Sequence, residues 1–288
     1  MPSILSLCSG IAALDIAVAA HYGAEIKWFS EIDEEASQVL SHRFPKVPNL
    51  GDLTKINPKD LDPDIVVAGF PCTTVSAVGK QKGTDDDRWV SDEIISLIDG
   101  LENRPTKVIF ENVVQLLSNK KGETVRPLFR ALAELGFSLK WGVVQARDAK
   151  APHRRSRVFV LATNTDDSEL QRHGKHSVLE CPTAEESRQR MAEILATSFN
   201  STSLDRTHNF NFGKFEQAIR QWELELKHPA PVPIVNNRLN EYFSEWMMGI
   251  PGWVTGSVED QKARFRLTGN AVVPHQALTA LAALESIS

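Results

Sequence analysis

The sequence predicts an α/β protein: a doubly wound, mostly parallel sheet that carries a small inserted lobe. Short apolar runs such as Ile4-Leu5-Ser6-Leu7-Cys8 and Ile65-Val66-Val67-Ala68 read as strands buried on both faces. They alternate with helical patterns, the order that builds parallel sheets. After Thr163 the composition shifts: residues 164–237 are rich in Asn, Ser, Thr, His and Gln and poor in buried-strand patterns. This divides the chain into a sheet domain over 1–163, a lobe over 164–237, and a return segment over 238–288 that completes the sheet domain.

At 288 residues the chain suffices for one large domain, or a domain and a lobe. With 42% apolar and 24% charged residues it reads as a soluble globular protein. No apolar run approaches the length of a membrane span. The first residues enter a strand pattern directly, so no secretory signal and a cytoplasmic location are expected. Cys8, Cys72 and Cys181 show no metal-ligand spacing, which predicts no metal site and a reducing compartment. A net charge of −5 excludes a uniformly basic nucleic-acid binder. Basic charge is local instead: Lys140, Arg147, Lys150, Arg154, Arg155 and Arg157 face the single acid Asp148 within one stretch.

In chain order, the first strand meets the turn Ser9-Gly10 and an alanine-rich helix over 11–20, a geometry that presents free amides to a ligand. The second strand, Ile26-Lys27-Trp28-Phe29-Ser30, ends at Glu31, about twenty positions on, where an acid partners ribose hydroxyls. A helix over 33–44 follows. Gly51-Asp52 marks a third sheet edge, and Ile65-Val66-Val67-Ala68 becomes the fourth strand. It is followed by Gly69-Phe70-Pro71-Cys72, a sharp turn that sets the Cys72 thiol at the strand's carboxyl end, where ligands of open α/β sheets bind. Residues 73–87 carry Gly79 and Gly83 and no apolar periodicity, and read as a loop. A helix over 93–101 leads to Lys107-Val108-Ile109-Phe110, with Glu111-Asn112-Val113 at that strand's end. A helix over 128–135, closed by Gly136, precedes two terminal strands, Trp141-Gly142-Val143-Val144 and Arg157-Val158-Phe159-Val160-Leu161. Alternation sends Arg155 and Arg157 to one face. In the lobe, Thr183 and Glu186 form a capping box for a helix to Ala196. Phe215, Ile219, Trp222 and Leu226 make the apolar stripe of a second helix, and Pro229, Pro231 and Pro233 form a stiff connector. A helical stretch over 243–248 leads to Arg266-Leu267-Thr268-Gly269-Asn270-Ala271, and a last helix closes the chain.

In this order the motifs closely resemble those of the DNA (cytosine-5) methyltransferases of bacteria and phages. The matches are Cys8-Ser9-Gly10-Ile11-Ala12-Ala13, Glu31, Gly51-Asp52, Phe70-Pro71-Cys72, Glu111-Asn112-Val113 and Arg155-x-Arg157. Arg238-Leu239, Met248-Gly249-Ile250-Pro251 and Gly269-Asn270-x-Val272-x-Pro274 complete the set. The resemblance implies a Rossmann-like fold and S-adenosylmethionine as cofactor, held by Cys8, Ser9, Gly10, Ile11, Ala12, Glu31, Ile32, Asp52, Leu53, Phe70, Asn270 and Ala271. It implies a covalent mechanism in which Cys72 attacks a flipped cytosine, assisted by Glu111, Arg155 and Arg157. Ser76, Lys80, Lys82 and Arg88 would meet the backbone of double-stranded DNA. Arg206, His208, Asn209 and Asn211 would read bases from the lobe, which the resemblance makes a target-recognition unit. A monomer is expected, with a cognate restriction endonuclease as an allowed partner. The chain departs from the family where Cys8, Ala12 and Ala13 replace an aromatic and two glycines. It departs again where Ile32 replaces an aromatic, and where Thr73 and His153 each replace Gln. Rival readings are an RNA-modifying enzyme of the same fold, a non-catalytic DNA binder, and a cysteine hydrolase using His153.

Overall fold

The apolar runs of the first half assemble into one six-stranded sheet. In the computed structural model, which describes residues 1–70, 90–118, 125–166, 183–196 and 210–287, the strands are β1 (Ser3–Leu7), β2 (Glu25–Ser30), β3 (Ile65–Ala68), β4 (Lys107–Val113), β5 (Phe137–Gln145) and β6 (Ser156–Asn164). Their spatial order is β2-β1-β3-β4-β6-β5. β1 pairs in parallel with both β2 and β3, and β3 with β4, while β6 runs antiparallel to β4 and β5. The expected doubly wound, mostly parallel sheet is therefore present.

Alternation along each strand builds two cores, because successive side chains leave opposite faces. Ile4, Ile65, Val67, Ile109, Phe159 and Leu161 enter the core beneath α1 (Ala13–Tyr22). Leu5, Leu7, Val66, Ala68, Val108, Phe110, Val158 and Val160 enter the other, beneath α3 (Val90–Gly100), α4 (Gln115–Ser118) and α5 (Arg126–Glu134). α2 (Glu34–Arg43) follows β2, with Asp33 as its N-cap accepting from the Ala36 amide.

Two local expectations are corrected. Gly51-Asp52 does not lie at a strand edge: only an isolated parallel bridge, Phe29 to Asn49, forms there, so Ile65–Ala68 is the third strand. Gly51, with a φ of +73°, leaves the extended region, and Asp52 caps a 3-10 turn, Leu53–Lys55. Glu111, Asn112 and Val113 do not follow β4 but belong to it, because the ladder with β6 continues beyond Phe110, where pairing with β3 stops. The proline connector leads into a hairpin, β7 (Ile234–Val235) and β8 (Arg238–Leu239). Its two central residues, Asn236 and Asn237, take φ of +50° and +60°, the signature of a type I′ turn.

Beyond β6 the chain adds α6 (Ala184–Ala196), α7 (Glu216–Leu226), α8 (Glu241–Met247), α9 (Gln261–Asn270) and α10 (Pro274–Glu285). The capping box opens α6: the Thr183 amide and hydroxyl donate to Glu186 at 2.8 Å, and the Glu186 amide donates back to the Thr183 hydroxyl. Met191 and Leu195 of α6 and Ile219 and Trp222 of α7 join the core beneath α1. Phe215 stays exposed, so the stripe buries its centre rather than its start. The indole of Trp222 donates to the Trp246 carbonyl at 2.9 Å. Both described helices of 164–237 thus join the core on that side of the sheet, α6 against α1 and α10 and α7 through Trp222 against Trp246 and His275, and Asn164 is the last residue of β6.

Replacing the fully buried Trp222 by Ala should cost about 3–5 kcal/mol of stability. Because its partners belong to the sheet's core, fluorescence and far-UV circular dichroism should report the same lowered denaturant midpoint. A shift in fluorescence alone would detach α7 from that core.

Candidate active site

A cleft of about 590 Å³ opens at the carboxyl ends of β1, β3 and β4. β1 lies between β2 and β3, so chain connections leave it in both directions, the switch point at which open α/β sheets bind ligands. The turn after β1 is tightly wound: Cys8, Gly10 and Ala12 have φ of +50°, +55° and +63°. Ala12 tolerates this left-handed backbone at a cost of about 1–2 kcal/mol that a glycine would not bear. Ser9 locks the turn, its amide donating to the Ser30 carbonyl at 3.2 Å and its hydroxyl accepting from Ser6 at 2.9 Å.

Glu31 anchors the next wall. Its carboxylate accepts the Gly10 amide at 2.7 Å and the Asp33 amide at 2.8 Å, one on each oxygen. Each oxygen keeps a second lone pair for a ligand hydroxyl. Ile32 is 76% exposed at the rim. Asp52 accepts from the amide and hydroxyl of Thr54 at 3.0 and 2.8 Å, and these bonds hold its carboxyl below the ordinary range. Phe70 packs edge-on against Phe110, and its carbonyl accepts from the Asn112 amide at 2.9 Å. Asn270 and Ala271 close the opposite side. Of the twelve residues expected to hold a cofactor, eleven line this cleft; Ala12 is buried behind it as the N-cap of α1. Burial, then Glu31, pushes the Cys8 thiol up to about 12, so it stays protonated and is no nucleophile.

At the cleft floor Glu111 Oε1 accepts from Arg157 Nε at 2.8 Å, with side chains only 12% and 14% exposed. Burial raises the Glu111 carboxyl above its ordinary range, against the pull of Arg157 and then Arg155. A side-chain carbon placed on Gly69 would stand 3.6 Å from Glu111 Oε2, so the exit of β3 runs beside this carboxyl. Arg155 does not line the cleft. Its guanidinium donates to the carbonyls of Ala271 at 2.7 Å and Asn270 at 3.2 Å, tying β6 to the end of α9. His153 bonds the Met247 carbonyl at 3.1 Å and is not among the residues that line the cleft. Asn211 is exposed and accepts from the Gly213 amide at 2.7 Å, the bond of a turn residue. Cys72, Ser76, Lys80, Lys82, Arg88, Arg206, His208 and Asn209 lie outside the described residues. Among the described residues no group of His, Cys, Asp and Glu could hold a metal ion, and no helix is long and apolar enough to cross a membrane.

The cleft also contains residues that sequence reasoning did not assign: Ser6, Asp15, Glu93, Asn112 and Arg266. Asp15 had one signal, an acid within an alanine-rich helical pattern. It is almost wholly buried, its Oδ1 has no hydrogen-bond partner, and burial pushes it up to about 7 although Ser6 bonds it.

Residues 3–249 match the family model described as C-5 cytosine-specific DNA methylase. The chain is 30% identical over 208 residues to the orphan methyltransferase M.Rho11sI of Bacillus phage rho11s, covering 68% of this chain and 40% of that protein. It is 33% identical over 163 residues to the type II methyltransferase M.HhaI of Haemophilus parahaemolyticus, covering 56% of this chain and 49% of that one. The chain thus spans about half the length of the curated relatives it matches or less. The crystal structure of the S. pombe Dnmt2 methyltransferase superposes with a TM-score of 0.62 at 15% identity, covering 98% of each chain, a likeness of fold.

Asp15 should make stability fall with rising pH. In the unfolded chain it ionises near its ordinary value of 3.8, whereas in the folded chain it keeps its proton to about 7. Between those values the folded state binds more protons, so stability is lost as pH rises through this window. Asp15→Asn should therefore raise the melting temperature at pH 8, by on the order of 2–4 kcal/mol in stability, and change it little at pH 4. Thermal unfolding of both proteins at the two pH values measures this; equal shifts would show that Asp15 is ionised in the fold.

Proposed function

Because the chain belongs to the C-5 cytosine-specific DNA methylase family, we propose that it methylates carbon 5 of a cytosine flipped out of duplex DNA, through a covalent bond to Cys72. The family's cofactor, S-adenosylmethionine, supplies an activated methyl group on a sulfonium when bound. The cleft residues suit such a group. Glu31 offers lone pairs to ribose hydroxyls, Asp52 an acceptor to the adenine amine, and Ile32, Leu53 and Phe70 apolar walls, with Asn270 and Ala271 opposite.

The observation that carries the reading is the buried Glu111–Arg157 pair beside the exit of β3 toward Pro71-Cys72. Carbon 5 of cytosine is a weak nucleophile. Addition of the Cys72 thiolate to carbon 6 makes carbon 5 enamine-like, as nucleophilic catalysis requires. Glu111, its carboxyl raised by burial, would donate the hydrogen bond or proton that nitrogen 3 needs as the thiolate adds. Arg157 holds Glu111 in place and offers its guanidinium to the base carbonyl. Arg155 acts one step behind, fixing β6 against Asn270 and Ala271. After methylation, water takes the carbon 5 proton, the bond between carbon 6 and sulfur breaks to release Cys72 as thiolate, and nitrogen 3 returns its proton to Glu111. A stacked base cannot enter this cleft, so the cytosine must leave the helix.

Ser76, Lys80, Lys82 and Arg88 are assigned to the DNA backbone, and Arg206, His208, Asn209 and Asn211 to base edges. Because α6 and α7 bury Met191, Leu195, Ile219 and Trp222 in the core, recognition falls within 164–237 to the polar stretch between them.

Duplex DNA with 5-fluorocytosine at the target position should trap the protein as a denaturation-stable adduct when cofactor is present. Cys72→Ala should form none, and the same adduct from that variant would remove Cys72 from the mechanism. Glu111→Gln should lower turnover at least about 100-fold in a tritium-methyl assay. Methyl incorporation into transfer RNA but not duplex DNA would move the substrate assignment to RNA.

A further inference from the structure

α9 carries Asn270 at its carboxyl end, and one turn earlier, on the same face, it carries Arg266. Both residues line the cleft. The Arg266 guanidinium makes a two-pronged contact with Asp33, Nη1 to Oδ2 at 2.7 Å and Nη2 to Oδ1 at 3.0 Å, and Nη2 also reaches Glu35 Oε2 at 3.2 Å. Asp33 Oδ1 is at the same time the cap of α2, accepting the Ala36 amide at 2.9 Å. The Asp33 amide in turn donates to Glu31 Oε1, whose other oxygen accepts the Gly10 amide. A continuous polar chain therefore runs from α9 through Asp33 and Glu31 to the turn after β1. Ile32, inside this chain, is largely exposed and contributes little packing of its own. The position of the 31–33 segment thus depends on its polar ties.

We propose that Arg266 is a positioning residue for the adenosyl end of the cofactor, clamping the 31–33 segment to α9 so that the Glu31 wall and the Asn270–Ala271 wall hold one spacing. This inference rests on the reading that the cleft binds S-adenosylmethionine. An isolated exposed ion pair contributes little to stability. Three features set this one apart. The fork is bidentate, which adds geometric specificity to charge; Asp33 is already held by the α2 cap; and the pair joins two cleft walls from opposite ends of the chain. Arg266 acts through Asp33 and Glu31, not on the reacting atoms.

Calorimetry with S-adenosylhomocysteine tests the clamp. Wild type should bind; failure to bind would overturn the cofactor reading, and the clamp with it. Given wild-type binding, Arg266→Ala should weaken it about tenfold. Arg266→Lys, which keeps charge but loses the fork, should recover part of the loss. Asp33→Asn retains a capping side chain, should weaken binding similarly, and should add nothing in the double variant with Arg266→Ala. In steady-state kinetics the effect should fall more on KM for the cofactor than on kcat. Circular dichroism should show each variant folded, since both side chains are partly exposed. Wild-type affinity in Arg266→Ala, or losses that simply add in the double variant, would overturn the clamp.

Discussion

The site depends on the strand reversal between β4 and β6. β3 and β4 run in parallel, and their pairing ends at Ala68 and Phe110. Had β6 also been parallel, its residues would have ended at the same level and left Glu111 without a neighbour. Running antiparallel, β6 extends the ladder to Val113, opposite Arg157. Glu111 lies opposite Phe159, which makes Arg157 its diagonal neighbour on the same face of the sheet, within reach of a long side chain. The ion pair at the cleft floor is therefore a consequence of register, and a one-residue slip would send it to the other face.

Around that floor the protein buries polar groups that water would otherwise stabilise. Glu111 and Asp15 are both pushed upward by desolvation, but their surroundings differ. Glu111 has Arg157 at hydrogen-bond distance, and that cation opposes the upward push of burial. Asp15 has no cationic partner among its perturbing groups and is held neutral. An acid kept neutral near physiological pH lowers stability relative to an isosteric amide, and such residues concentrate where ligands bind.

The return of the chain after the lobe closes the site mechanically. Arg155 takes the carbonyls at the end of α9, and the fully buried Gln276 donates to the Arg155 and Val144 carbonyls at 2.9 and 2.8 Å. Arg43 of α2 donates to the Trp253 carbonyl at 2.9 Å, and the Trp253 indole donates to the Ile11 carbonyl at 2.9 Å. Through these bonds the last fifty residues are stitched to the turn after β1 and to β6, which explains why the cleft takes walls from both ends of the chain.

Much of this was legible in the sequence because it rests on local signals. Short apolar runs specify β1, β3, β4 and β6; Thr183 with Glu186 specifies the start of α6; and the glycine turn, Glu31 and Asp52 mark a ligand cleft at strand ends. The sequence alone also nominated Glu111 and Arg157. What it could not decide lies in contacts between distant segments. The false strand at Gly51-Asp52 carried the right residue types, but sheet formation needs a continuous ladder, and only one bridge forms there. The polar composition of 164–237 suggested separation, whereas Met191, Leu195, Ile219 and Trp222 supply enough apolar surface to join the core. Asp15 and Arg266 have side chains whose roles are set by burial and by partners far along the chain. No local pattern records that Arg266 meets Asp33 across 233 positions of sequence; only the placing of α9 at the cleft brings them together.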